Sequence, residues 1–178
     1  MDNKIRNDII ERLLKLDEEI SLIFDDDNYY EIIIVGGSAL LLINKLSRAT
    51  FDIDAIRCSK ELKPFMEKYD INDNVISYLN SFSDDFYNRK IKIDIPTKKI
   101  NVYTASLEDI VISKLSSNRG KDSEDIRSPM VIESLDWNLL DEIVNSDDFK
   151  DNMLTEHQYN MFMYDYRDYR EEFHPWES

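Results

Sequence analysis

The stretch that most constrains this chain is residues 32–56, IIIVGGSALLLINKLSRATFDIDAI. Residues 32–35 form a continuous apolar run, the pattern of a strand buried on both faces. Gly36-Gly37 stops it. Ser38 can cap a helix, and residues 39–46 are rich in good helix formers. Residues 47–50 are a polar break. Phe51-Asp52-Ile53-Asp54-Ala55-Ile56 then alternates with period two, so a strand, a helix and a second strand are expected in that order. The chain has only three glycines, and two of them are adjacent here. A sequence so poor in glycine keeps them where a side chain would obstruct the backbone.

The alternation carries the chemical clue. Residues two apart on a strand share a face. Phe51, Ile53 and Ala55 therefore point one way, and Asp52 and Asp54 the other. Two carboxylates held side by side repel unless a cation sits between them. Oxygen ligands of this kind suit Mg²⁺. Glycines between a strand and a helix offer backbone N–H groups to a phosphate. A phosphate cradle beside a carboxylate pair is the equipment of metal-assisted phosphoryl or nucleotidyl transfer. The competing reading is a tight turn followed by an edge strand with a solvated acidic face.

Val35-Gly36-Gly37-Ser38 followed by Asp52-Ile53-Asp54 resembles the nucleotidyltransferase superfamily of DNA polymerase beta. Arg48-x-Thr50-x-Asp52-x-Asp54 is similar to a narrower group, the minimal nucleotidyltransferases that include the AbiEii-type toxins of bacterial toxin–antitoxin and abortive-infection systems. The resemblance implies an α/β (α+β) fold with a small mixed sheet flanked by helices, an N-terminal helix and C-terminal helices. It covers about residues 30–128. It implies Asp52 and Asp54 as catalytic metal ligands, and Gly36, Gly37, Ser38 and Arg48 as nucleotide-binding residues.

A second cluster lies downstream. Ser106 is a plausible cap for a helix over residues 106–116, with Asp109 at its third position. Leu107, Ile110, Val111 and Leu115 form its apolar stripe. Lys114 falls inside that stripe, where a lysine either snorkels out or meets an anion. Asn118-Arg119-Gly120-Lys121-Asp122-Ser123-Glu124-Asp125 is a charged turn opening another helix, and it holds the third glycine. Lys114, Arg119-x-Lys121-Asp122 and Asp125 are similar to a segment of the AbiEii-like families. By that resemblance Lys114 holds a nucleotide phosphate, Asp122 is a further catalytic carboxylate, and Arg119 and Lys121 touch phosphates. The alternative for both aspartates is helix capping and macrodipole stabilisation. The superfamily's third strand carboxylate is matched by Ile93-Asp94-Ile95, which makes Asp94 a third metal candidate. Any half-exposed strand can also be written that way.

The remaining elements read as packing. Residues 3–24 repeat Ile5, Ile9, Leu13, Leu16, Ile20 and Ile23 at helical steps. A short helix is expected over 59–68, an ambiguous and mainly helical segment over 71–79, and a loop over 81–88. Strands are expected over 89–96 and 100–104, the latter with Asn101 where an acid would match. A helix over 135–144 turns Trp137, Leu140 and Val144 inward, and residues 147–151 read as an acidic loop. The aromatic stripe of residues 155–173 marks a last helix packed on the domain or a partner.

One cysteine excludes an intrachain disulfide, and two histidines are too few for a histidine zinc site. With no signal-like or membrane-spanning run, a cytoplasmic protein is expected. Residues 1–130 are expected to form the nucleotidyltransferase-like domain and 131–178 a helical segment packed on it. A net charge of −15 argues against duplex DNA or an anionic membrane as partner. The expected activity is Mg²⁺- or Mn²⁺-dependent transfer of NMP from an NTP to an acceptor hydroxyl. By resemblance the acceptor is a tRNA 3′ end, and the biological role is a toxin held by a cognate antitoxin protein. The alternative is a catalytically inactive nucleotidyltransferase fold kept as a binding or regulatory module.

Overall fold

The computed structural model describes residues 2–73, 79–117 and 119–176. The order is α1 (Asp2–Ile23), β1 (Tyr30–Val35), α2 (Gly36–Leu42), β2 (Ile53–Cys58), α3 (Lys63–Met66), β3 (Ile71–Asn72), β4 (Ile91–Lys92), β5 (Ile100–Thr104) and α4 (Leu107–Leu115). It continues through α5 (Gly120–Ile126), α6 (Pro129–Ile132), α7 (Trp137–Val144), α8 (Asp147–Asn152) and α9 (Glu156–Phe173). The chain divides into two compact units, residues 1–76 with 89–106, and residues 77–88 with 107–178. The expected boundary at 130/131 falls inside the second.

The first unit is built on a five-stranded mixed sheet of order β3-β2-β1-β5-β4. β1 is antiparallel to β2 and parallel to β5. β1 is central because every residue from Ile32 to Val35 is apolar and can be buried on both faces. α1 adds Ile9, Leu13, Leu16 and Ile20 to the core, the stripe its periodicity requires. Asp17 is also buried there. Its carboxylate accepts from the backbone N–H groups of Lys98, Lys99 and Ile100 at 2.7, 2.8 and 2.8 Å, which fixes the entry to β5.

The second unit is helical. Tyr166 and Tyr169 of α9 are fully buried, with Phe149 of α8 and Leu140 and Val144 of α7. The Tyr169 hydroxyl donates to the Ile126 carbonyl at 2.7 Å, and Arg170 pairs with Asp141 at 3.2 Å.

Several local expectations are corrected. Residues 147–151 are helical, because Ser146 Oγ accepts from Phe149 N and caps α8. Residues 81–88 are largely 3-10 turns rather than a loop. Strand pairing of the 89–96 segment is confined to Ile91–Lys92, with one further bond from Ile93 N–H to the Val102 carbonyl. Ile71-Asn72 is a strand paired with Ile53-Asp54, not a helix, and residues 74–78 of that expected element lie outside the described residues.

Candidate functional site

The first unit brings the Gly-Gly and Asp-x-Asp motifs together by strand register. Val35, the last residue of β1, pairs with Asp54 of β2. Asp54 therefore sits beside the point where the chain leaves the sheet into Gly36-Gly37. Asp54 also pairs with Asn72 of β3 and is half-buried. Asp52 is exposed, two residues before it.

A bulge sets which way Asp54 faces. Ile33 pairs with Arg57 and Ile34 with Ala55, so Ile56 is an extra residue on β2. Paired residues share a face. Ile34 and Ala55 lie on one face, and Val35, Asp54, Ile33 and Arg57 on the other. Without the extra residue, Arg57 and Asp54 would point to opposite faces. The entry to β2 is also held from α1. Arg12 Nη1 donates to the Phe51 carbonyl at 2.9 Å and to the Tyr69 carbonyl at 3.3 Å.

The two glycines are not equivalent. Gly36 has φ 69°, a backbone that L side chains rarely adopt. Gly37 has no such constraint, and a Cβ there would meet Thr50 at ordinary contact distances of 3.4 and 3.5 Å. Ser38 does not cap the helix. α2 already begins at Gly36 with Val35 in the cap position, and the buried Ser38 hydroxyl donates back to the Val35 carbonyl at 3.2 Å. Arg48 lies half-buried in the connection to β2, donating to the Ala49 carbonyl at 3.3 Å.

The sheet does not bring Asp94 to this place. β4 and β2 are separated by β1 and β5, three strand spacings or roughly 14 Å. Asp94 lies past the paired residues Ile91–Lys92, in a tight turn closed by the Ile95 N–H on the Ile93 carbonyl at 3.1 Å. Among the described residues, no three of His, Cys, Asp and Glu converge to hold a metal ion. Asp52 and Asp54 remain a two-carboxylate set, enough for Mg²⁺ when substrate phosphates and water complete its shell.

The second unit holds the other cluster. Lys114, on α4, is 5% exposed. Its ammonium donates to Asp122 Oδ1 at 2.6 Å and Asp125 Oδ2 at 2.8 Å, both on α5. The i, i+3 spacing puts the two carboxylates on one helix face, and there they clamp one lysine. Asp122 Oδ2 accepts from Ser117 Oγ and from Arg119 Nε, each at 2.7 Å. Burial alone would raise the Asp122 carboxyl, but hydrogen bonds from Lys114 and Ser117 and the charges of Lys114 and Arg119 outweigh it and hold it below its ordinary value. In this structure the Lys114 ammonium meets two aspartates of the next helix. Lys121 is exposed. Sequence reasoning missed Ser117, because no motif marks a hydroxyl five residues from the carboxylate it meets.

A family model described as "nucleotidyltransferase of unknown function" (DUF6036) matches residues 11–174. No curated protein and no solved structure matches the chain. Among the described residues, no helix is long and apolar enough to cross a membrane.

Proposed function

The chain belongs to this family of nucleotidyltransferases of unknown function, and we propose that it moves NMP from an NTP to an acceptor hydroxyl at the Gly36–Asp54 end of its sheet. The observation that carries the proposal is the Val35–Asp54 register, which sets Asp54 beside the glycine turn. Backbone N–H groups of Gly36, Gly37 and Ser38 would receive phosphate oxygens, where a missing Cβ permits close approach. Asp52 and Asp54 would hold Mg²⁺, which when bound supplies neutralisation of the phosphate charge. The acceptor oxygen forms a bond to the α-phosphorus and its proton leaves to solvent. The α–β bridging P–O bond breaks and pyrophosphate departs. The residues that fix this arrangement are Arg12, which holds the Phe51 carbonyl, and the bulge at Ile56.

The finer reading follows the AbiEii resemblance: the acceptor is a tRNA 3′ end, and the protein is a toxin held by an antitoxin. A charge of −15 opposes an RNA acceptor at long range and suits a basic protein partner. A second reading, a non-catalytic nucleotide-binding module, is favoured by one observation. No third metal-ligating side chain joins Asp52 and Asp54 among the described residues.

The test is a transfer assay with Mg²⁺, each α-labelled NTP in turn, and either total tRNA or a protein extract as acceptor. Label appearing on one acceptor, and lost in Asp52→Ala/Asp54→Ala, is the expected result. NTP binding without transfer to any acceptor would favour the module. Neither binding nor transfer would overturn both readings.

A further inference from the structure

We infer that the outward face of α9 is a docking surface for a cationic amphipathic helix of a protein partner. α9 turns Phe162, Tyr166 and Tyr169 into the second unit, where all three are buried. At about 100° per residue, the opposite face carries His157, Met161, Tyr164, Asp168 and Glu171 in one line. All five are exposed. Their steps of four, three, four and three residues are those along which one helix meets another.

The first half of this face is apolar. Met161 is 52% exposed and Tyr164 63%, one turn apart on the line. Leu154, 68% exposed, lies just before the Thr155 cap. Single exposed apolar residues are ordinary, but here three cluster at one end of one helix. Methionine and tyrosine are also the residue types that contact surfaces favour.

The second half is acidic. Asp165, Asp168, Glu171 and Glu172 are exposed in the last turns of α9. Glu172 reaches Arg127 at 3.5 Å, and the other three carboxylates have no ion pair among the described residues. Arg170 is turned inward onto Asp141, and Arg167 stands off the line. Asp165, Asp168 and Glu171 follow each other at i, i+3, and Asp168 and Glu172 at i, i+4, so like charges face like. The C-terminal end of a helix is itself negative. Within the chain these acids work against their own helix, and cations from a partner would relieve both repulsions.

This charge selects the occupant. Nucleic acid and anionic membranes present phosphate, which the acids repel. A second copy laid parallel would set Asp168 and Glu171 against their counterparts, and one laid antiparallel would leave both acidic halves without cations. A helix with apolar residues for Met161 and Tyr164, and Lys or Arg one or two turns further on, satisfies both halves. The −15 charge of the whole chain would draw such a partner from a distance. The surface belongs to the second unit and stands apart from the transfer chemistry, which the transfer assay judges separately.

The experiment titrates the full chain with a synthetic helical peptide about three heptads long, leucine on the seam of one half and arginine on that of the other. A scrambled peptide of the same composition and a version with glutamate for arginine run in parallel. The patterned peptide is expected to bind at least about tenfold tighter than the scrambled one. Tyr164→Ala with Met161→Ala should lose about tenfold in affinity, with little change in melting temperature. Asp168→Lys/Glu171→Lys should lose the arginine peptide and gain the glutamate one. Glu18→Lys/Glu67→Lys makes the same charge change at exposed positions of the first unit and should leave affinity within about twofold. Equal binding of patterned and scrambled peptides, or equal losses in the two charge-reversed proteins, would reduce the effect to net charge and overturn the inference. No binding by wild type overturns it too. So does a wild-type dimer in sedimentation that Tyr164→Ala with Met161→Ala dissolves, since the occupant would then be a second copy.

Discussion

Gly36 and Gly37 are chemically identical neighbours, yet the backbone makes different demands on them. Gly36 has φ 69°, so a side chain there is strained wherever it points. Gly36→Ala is expected to cost about 1–2 kcal/mol of stability, read as a lower urea midpoint at unchanged slope. Gly37→Ala places its Cβ against Thr50 at 3.4 Å, an ordinary contact, and should leave the midpoint within about 0.5 kcal/mol. If Gly37 lies against substrate phosphate, that variant should nevertheless bind NTP more weakly. Equal NTP affinity in a folded Gly37→Ala protein would remove the phosphate role from this position. The sequence marks both glycines through their rarity, but adjacent letters do not say which one bears the strain.

Among the elements, helices with a sustained stripe and a local cap are legible in advance. α9 begins where Thr155 accepts from Gln158 N, and its buried Phe162, Tyr166 and Tyr169 follow the expected spacing. α8 was not legible, because six mostly polar residues carry no stripe and the Ser146 cap is one hydroxyl among many. Asp17 was not legible either. It lies on α1 among apolar neighbours, and its partners are backbone groups more than eighty residues away. Asp17→Ala leaves three donors without their acceptor at a position 3% exposed. It should cost about 3 kcal/mol in denaturant unfolding, with Asp17→Asn milder because one oxygen remains. A loss under about 0.5 kcal/mol would show that the loop before β5 finds other partners.

At the scale of the whole molecule, charge governs behaviour with pH. The −15 charge is self-repelling at neutral pH and shrinks on acidification, which by itself favours compactness. The Asp122 network works in the opposite direction. Its folded carboxyl is held below the ordinary 3.8 by Lys114, Ser117 and Arg119 against the effect of burial. Its contribution is therefore full above that value and is lost as pH falls through the lower folded value. Wild type should lose stability below about pH 3.8, and Arg119→Gln should lose less over the same window. Thermal melts across that range read the difference, and identical slopes in the two proteins would show that the network does not control acid sensitivity. The exposed Asp26 carboxyl is held down at about 2, first by the Asn28 side chain and then by the Tyr30 hydroxyl, and stays ionised through most of this range.

By itself the sequence determined the order of strand, glycine turn, helix and acidic strand, because those signals are local: apolar runs, period two, and residues that break or permit backbone shapes. It also determined which helical faces would be buried, since periodicity is a property of a single element. Only the tertiary structure decided what those pieces face. Simple alternation of residues 51–57 puts Ile56 on the face of Asp54 and Arg57 on the other, and the bulge at Ile56 moves Arg57 to the face of Asp54. Asp94 reads like a metal ligand in a strand, yet it lies in a turn past β4, which is itself three strands from β2. Lys114 reads like a phosphate ligand, yet two aspartates of the next helix enclose it. Register, strand order and the partner of a buried charge are relations between distant segments, and no single segment contains them.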